Sequence, residues 1–146
     1  MKTIKILTLL ILAFLFIKCK KEVVETTADK IKKVWTVQSA KENGTNVFTK
    51  GGTGNTKLYY SNFQLDLSNP PAVTLTEVDG LTFTGTYELV GDTKLILKNL
   101  TPAPFGTNGT IEFTITKIDG TQFEITRTTT NLKTGGTTNT YILIIK

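Results

Sequence analysis

The chain has 146 residues, a net charge of +5, no histidine and one cysteine. It therefore lacks the commonest general base, the commonest metal ligand and the cysteine pair of an internal disulfide. It also has one arginine and no basic stripe interleaved with aromatic residues, so the composition does not favour nucleic-acid binding. We expect neither an enzyme nor a protein with a metal or other cofactor.

Residues 1–18 have the composition of a signal peptide. Lys2 and Lys5 precede an apolar run, Ile6 to Ile17, that only Thr8 interrupts. A run of about 10–14 apolar residues is too short for the ~30 Å core of a bilayer and is typical of the apolar region of a signal peptide. The run predicts export.

The sequence Cys19-Lys20-Lys21-Glu22 follows this run. It resembles the lipoprotein signals of Bacteroidetes-type bacteria, with Lys18 where a small residue usually precedes the cysteine. The resemblance implies cleavage before Cys19, a lipid on its thiol and a linker over residues 19–26. Each buried methylene of an acyl chain contributes ~0.8 kcal/mol to membrane binding. The first expected partner is thus the outer membrane, at its periplasmic or surface face.

After the linker the pattern predicts one short helix and then strands. Thr26 and Asp29 have the spacing of a capping box at a helix start. From Trp35 and Val37 onward, apolar residues recur at every second position, most clearly from Leu81 to Leu89. We expect a long strand over Lys57 to Leu67.

Tight turns separate the predicted strands. Asn43-Gly44 is a strong hairpin signal, and Asp79-Gly80 and Asp119-Gly120 are similar. About nine strands joined in this way predict an all-β antiparallel meander over residues 27–146, closing into an up-and-down barrel of about 8–9 strands. A β-sandwich is the alternative.

The short helix, the tryptophan on the first strand and the hairpin meander together resemble the lipocalin-like domains of Bacteroidetes lipoproteins. The lipocalin signature Gly-x-Trp corresponds here to Lys33-Val34-Trp35, without the glycine. In that family an arginine on a late strand packs over the tryptophan. The resemblance therefore implies a barrel-closing pair of Trp35 and Arg127, whose cation–π contact would contribute ~0.5–2 kcal/mol. The alternative is that Arg127 is a solvated strand end.

The sequence is compatible with two functions. A barrel of eight strands can hold one small ligand, and a small apolar or amphipathic molecule would then contact the predicted wall residues Tyr59, Phe63, Phe83, Tyr87 and Phe113. Alternatively these residues fill the core, and the protein is a structural or protein-interaction lipoprotein. Its contacts would then come from the loops Lys50 to Thr56 and Thr101 to Gly109. The triplet Lys133-Thr134-Gly135 is predicted to be a turn.

Overall fold

The computed structural model describes residues 24–146, so the predicted signal peptide and Cys19 lie outside the described residues. Besides two 3₁₀ helices, Leu58–Asn62 and Leu132–Thr134, the elements in chain order are α1 (Thr27–Ile31), β1 (Val34–Glu42), β2 (Thr45–Thr49), β3 (Gln64–Asp66), β4 (Ala72–Thr76), β5 (Thr82–Val90), β6 (Lys94–Thr101), β7 (Ile111–Ile118), β8 (Gln122–Arg127) and β9 (Asn139–Ile145).

Helix α1 begins at the predicted capping box. The Asp29 N–H donates to the Thr26 hydroxyl at 3.2 Å, and the Thr26 N–H donates to the Asp29 carboxylate at 3.3 Å. Two backbone donors that the first turn leaves free are thereby satisfied. The helix buries Ile31. In residues 24–146 no helix has the length and apolar character needed to cross a bilayer.

The strands form one closed antiparallel sheet. From β3 to β9 each strand pairs with the next, and β9 pairs with β1. β2 and β3 lie one after the other along the remaining edge of β1, where Thr49 pairs with Ser39 and Gln64 with Thr36. The result is an eight-strand barrel with one extra strand, which confirms the predicted all-β antiparallel barrel.

The segment predicted as a strand from Lys57 to Leu67 is different in the structure. Its first part is the 3₁₀ helix Leu58–Asn62, and only Gln64–Asp66 is a strand. Tyr60 is completely buried and its hydroxyl donates to Glu42 at 2.8 Å. An extended strand with Tyr59 facing inward would turn Tyr60 outward, because successive side chains alternate across a strand. The buried hydrogen bond therefore outweighs the strand pattern.

Large side chains fill the barrel interior. Phe63 and Tyr141 stack with their ring centroids 4.2 Å apart, and Phe113 meets Tyr141 edge-on at 6.5 Å. The largest fully buried side chains are Trp35, Tyr60, Tyr141, Phe63, Phe113 and Phe123. Aromatic residues at these positions contribute much of the apolar area that stabilises the fold.

The two ends of the barrel differ. The helix end carries α1 and the turns at residues 67–71, 91–93 and 119–121, and Lys33 Nζ donates there to the Gly120 carbonyl. The loop end carries the connections at residues 43–44, 50–63, 77–81, 102–110 and 128–138. The longer connections lie at the loop end, so a site formed by loop residues is expected at this end.

Candidate functional site

The predicted pair of Trp35 and Arg127 is wrong. The cation over the Trp35 ring is Lys33, with Nζ 6.0 Å from the ring centroid, and the Trp35 indole N–H donates to the Ile31 carbonyl at 2.9 Å. Arg127 is the last residue of β8, at the loop end, and its guanidinium donates a hydrogen bond to the Glu77 carboxylate. A guanidinium that is buried needs a carboxylate more than an aromatic face, and β4 ends where Glu77 can supply one.

Four charged side chains meet at the loop end, and we call them the rim cluster: Glu77, Asp79, Arg127 and Lys133. Arg127 donates to Glu77 Oε1 at 2.8 Å and to the Thr129 carbonyl at 3.0 Å. Lys133 Nζ lies 2.6 Å from Glu77 Oε2 and 2.7 Å from Asp79 Oδ2. The cluster is graded in depth, since the Glu77 and Arg127 side chains are each 3% exposed and Asp79 is 37% exposed.

Two turns place these side chains. Between β4 and β5 the Gly80 N–H donates to the Glu77 carbonyl at 2.9 Å and the Leu81 N–H to Asp79 Oδ1 at 3.1 Å. Gly80 has φ of 81°, a left-handed conformation that glycine adopts without strain. The turn points Glu77 inward and leaves Asp79 at the rim. Opposite it, Asn131 Oδ1 accepts the Lys133 N–H at 3.2 Å at the start of a 3₁₀ turn.

Opposing effects set the pKa of Asp79. Partial burial acts to raise it, but the contact with Lys133 and the hydrogen bond from the Leu81 N–H together hold the pKa below its ordinary value. Asp79 is therefore an anion at neutral pH. Among residues 24–146 no group of three or more potential metal-ligating His, Cys, Asp or Glu side chains comes together.

A cleft of about 450 Å³ opens beside the cluster, and we call it the rim cleft. Its lining residues are Asp79, Leu81, Phe83, Pro102, Ala103, Phe105 and Lys133. A second cavity of about 170 Å³ is lined by Tyr59, Val78, Asp79 and Lys133. Asp79 and Lys133 belong to both linings, so the Lys133 side chain stands between the two spaces. Its ammonium also lies 4.8 Å from the centroid of the Phe83 ring, a favourable cation–π distance.

A second polar network closes the barrel beneath the loop end. The Tyr60 hydroxyl donates to Glu42 at 2.8 Å and accepts from the Asn139 amide at 2.9 Å, while Lys57 pairs with the same Glu42. Burial first, and then the neighbouring Tyr141 phenol, raise the pKa of Tyr60 far above its ordinary value. The hydroxyl therefore stays protonated and serves as a donor.

The five residues predicted to bind a ligand are placed in three different environments. Tyr59 and Phe83 line the two rim cavities. Phe63 and Phe113 are buried and pack on Tyr141. Tyr87 is half-buried against the core, and its hydroxyl donates to the Leu67 carbonyl at 3.2 Å, near the helix end. The structure brings together only two of the five at the cleft end.

The sequence analysis named the loop Thr101 to Gly109, which carries Pro102, Ala103 and Phe105, only as a protein contact, and it did not select Asp79, Leu81 or Lys133 as site residues. Phe105 follows Pro102 and Pro104 and precedes Gly106 in the connection 102–110, and 69% of it is exposed. A large aromatic residue in such a loop is a recognisable signal of a contact surface. Glu77 and Lys133 gave no local signal, because their partners are 50 or more residues away in sequence.

Comparison with known proteins identifies the architecture. No family model and no curated protein matches the chain. A crystal structure of a lipocalin-like protein from Bacteroides uniformis is similar, with a TM-score of 0.53 and 14% identical residues, over 80% of this chain and 99% of that one. At such low identity the likeness concerns the fold. Together with the closed eight-strand sheet, it shows that the described part of this chain has a lipocalin-like barrel fold.

Proposed function

We propose that the chain is an outer-membrane lipoprotein whose lipocalin-like domain binds a small amphipathic molecule in the rim cleft. The observation that carries this proposal is the cleft itself. Its volume of about 450 Å³ lies within the range of ~300–1,000 Å³ that is usual for small-molecule sites. Its lining also has the expected character, an apolar wall with a few polar groups gathered at one side.

The filled core favours the rim as the location. The interior aromatic side chains pack against one another with their ring centroids 4.2–6.5 Å apart. A ligand between the strands would have to displace these contacts, and overpacking a close-packed core is destabilising. A ligand in the rim cleft would instead cover the exposed side chains Leu81 and Phe105, which are 58% and 69% exposed.

The proposed tether depends on the sequence Cys19-Lys20-Lys21-Glu22. A thioether-linked lipid would hold the domain at the membrane, with Lys20 and Lys21 adding ~1 kcal/mol each against anionic headgroups. In the native host, a Cys19→Ser variant should leave the membrane fraction or keep its unprocessed mass. Unchanged membrane partition together with the processed mass would overturn the tether.

Native mass spectrometry of the chain purified from its own membrane tests ligand binding. We expect a co-purifying molecule in the wild type, loss of that molecule in Phe105→Ala, and retention in the matched control Leu58→Ala. Leu58 is 68% exposed at the same end of the barrel but is outside the cleft lining. Both substitutions remove an exposed apolar side chain, so they differ mainly in the cleft contact. Repeated spectra of empty wild-type protein would contradict the proposal.

A second candidate function is protein interaction through the loop end. The observation that favours it is the number of exposed apolar residues at that end: Leu58, Tyr59, Leu81, Phe105 and Leu132. Exposed apolar patches mark interaction sites in many soluble domains. This candidate predicts that Leu58→Ala and Phe105→Ala weaken the binding of a partner protein equally. Small-molecule binding predicts that only Phe105→Ala weakens the binding of the small molecule.

A further inference from the structure

The rim cluster contains equal numbers of formal positive and negative charges. Glu77 and Asp79 contribute two negative charges, and Arg127 and Lys133 contribute two positive charges. We propose that the rim cleft prefers a ligand with a flat apolar body and an uncharged head group, such as a hydroxyl or amide, that both accepts and donates hydrogen bonds. This inference rests on the proposed function and specifies the class of ligand.

Two buried atoms of the rim cluster have no hydrogen-bond partner. Among the buried side-chain atoms of the described residues, Lys133 Nζ and Glu77 Oε2 make no hydrogen bond. Their 2.6 Å contact is an ion pair by distance without hydrogen-bond geometry. An ammonium group has three N–H donors, and Lys133 lines the cleft. The Nζ atom is itself buried, so donation to a head-group oxygen requires the Lys133 side chain to turn towards the cleft. The carboxylate of Asp79, which is 37% exposed, can accept directly from a head-group O–H or N–H.

A charged head group would disturb this balance. A carboxylate that approaches Lys133 also approaches the Asp79 oxygen 2.7 Å from Nζ, and an ammonium that approaches Asp79 meets Lys133 in the same way. The Lys133 side chain is 12% exposed and its ammonium nitrogen is buried, so screening by water is weak. An additional charge there would lack its own partner, and an unpaired charge in a desolvated site is costly.

The wall of the cleft indicates the shape of the ligand body. Phe105, which is 69% exposed, supplies an aromatic ring and Pro102 a rigid apolar surface, whereas Phe83 lines the cleft but is only 3% exposed. Aromatic rings favour offset stacked or edge-to-face contacts with other rings. Because Phe83 already has the Lys133 ammonium over its ring, the exposed Phe105 is the residue expected to cover the ligand.

The inference can be tested with three probes that share one ring system: 2-naphthylmethanol, 2-naphthoate and 2-naphthylmethylammonium. Each is dialysed against the full chain in lipid nanodiscs, with protein-free nanodiscs as the blank. We expect the alcohol to bind about tenfold more tightly than either ion, a difference of ~1.4 kcal/mol, because a charged head group would bring an unpaired charge into the site. Equal binding of all three, or tighter binding of an ion, would overturn the inference.

Two single substitutions should redirect the preference. Lys133→Met makes the cluster formally −1 and should favour the naphthylmethylammonium probe, whereas Asp79→Asn makes it +1 and should favour naphthoate. Lys94→Met, which removes an exposed lysine from the barrel wall, is the control and should keep the wild-type preference. Thermal melting identifies variants that fail to fold, and because Asp79 is exposed at the rim, Asp79→Asn should fold even where Lys133→Met does not.

The outcomes separate the two proposals. If no naphthyl probe binds above the blank and the wild-type chain is empty by native mass spectrometry, the proposed function fails. If probes bind and Phe105→Ala abolishes that binding, but the two charge variants keep the wild-type preference, then the proposed function stands and the head-group inference fails.

Discussion

Replacing Glu77 by glutamine should destabilise the barrel far more than the same substitution in an exposed ion pair. The carboxylate contacts two cations, Arg127 at 2.8 Å and Lys133 at 2.6 Å, and its side chain is 3% exposed. Removing one partner of a buried ion pair costs ~3–5 kcal/mol. Lys133 keeps its contact with Asp79, so we expect the lower end, about 3 kcal/mol.

The matched control is Glu112→Gln. Glu112 pairs with Lys94 at 2.9 Å, but its side chain is 38% exposed, and exposed pairs contribute ~0–1 kcal/mol. The double variant Glu77→Gln, Arg127→Met should lose less stability than the sum of its single variants, because neither charge is then left unpaired.

Urea unfolding followed by tryptophan fluorescence measures these differences. Trp35 is the one tryptophan and is completely buried, so its emission reports on the core. With a slope of ~1–3 kcal/mol per molar urea, a loss of about 3 kcal/mol lowers the midpoint by roughly 1–3 M. If Glu77→Gln and Glu112→Gln shift the midpoint equally, the argument that burial makes Glu77 critical is wrong.

Two further predictions concern packing and pH. A Cβ on Gly85 would lie 2.4 Å from the Lys98 carbonyl oxygen, whereas a Cβ on Gly54 would meet nothing within 4 Å. Gly85→Ala should therefore lower the free energy of unfolding by about 1–3 kcal/mol, and Gly54→Ala should hardly change it. Urea titration of both variants measures the difference. The pKa of Asp79 is depressed in the folded state, so its stabilisation is complete above the ordinary value of 3.8 and is lost as the pH falls through the folded value. The stability difference between wild type and Asp79→Asn should thus shrink in acid, and a difference that grows in acid would contradict the sign of this shift.

Local signals in the sequence were sufficient wherever neighbouring residues determine the geometry. The capping box depends on Thr26 and Asp29, three residues apart, and it forms as expected. Asn43 and Gly44 adopt φ of 48° and 83°, the positive values that their hairpin turn requires. The alternation of apolar and polar residues at every second position predicted the strands of the barrel, because residues of one parity must face the core.

Sequence patterns failed where a distant partner decides the outcome. Tyr60 turns inward because Glu42 and Asn139 meet its hydroxyl, and a strand pattern carries no information about either. Arg127 was assigned to Trp35 by resemblance, yet Glu77 lies closer to the end of β8 in the folded barrel. The cleft depends on three loops that are far apart in the chain, so its residues could not be chosen from spacing.

The two ends of the barrel also bear on how a ligand would arrive. The described chain begins at residue 24, just before α1 at the helix end, whereas the rim cleft opens between the loops of the opposite end. A lipid on Cys19, as proposed, would be attached on the helix-end side of the domain, and the rim cleft lies at the opposite end of the barrel. Occupancy would then follow the dissolved concentration of the ligand and not its partition into the membrane. Such a protein would capture molecules arriving from solution and would not extract them from the lipid beneath it.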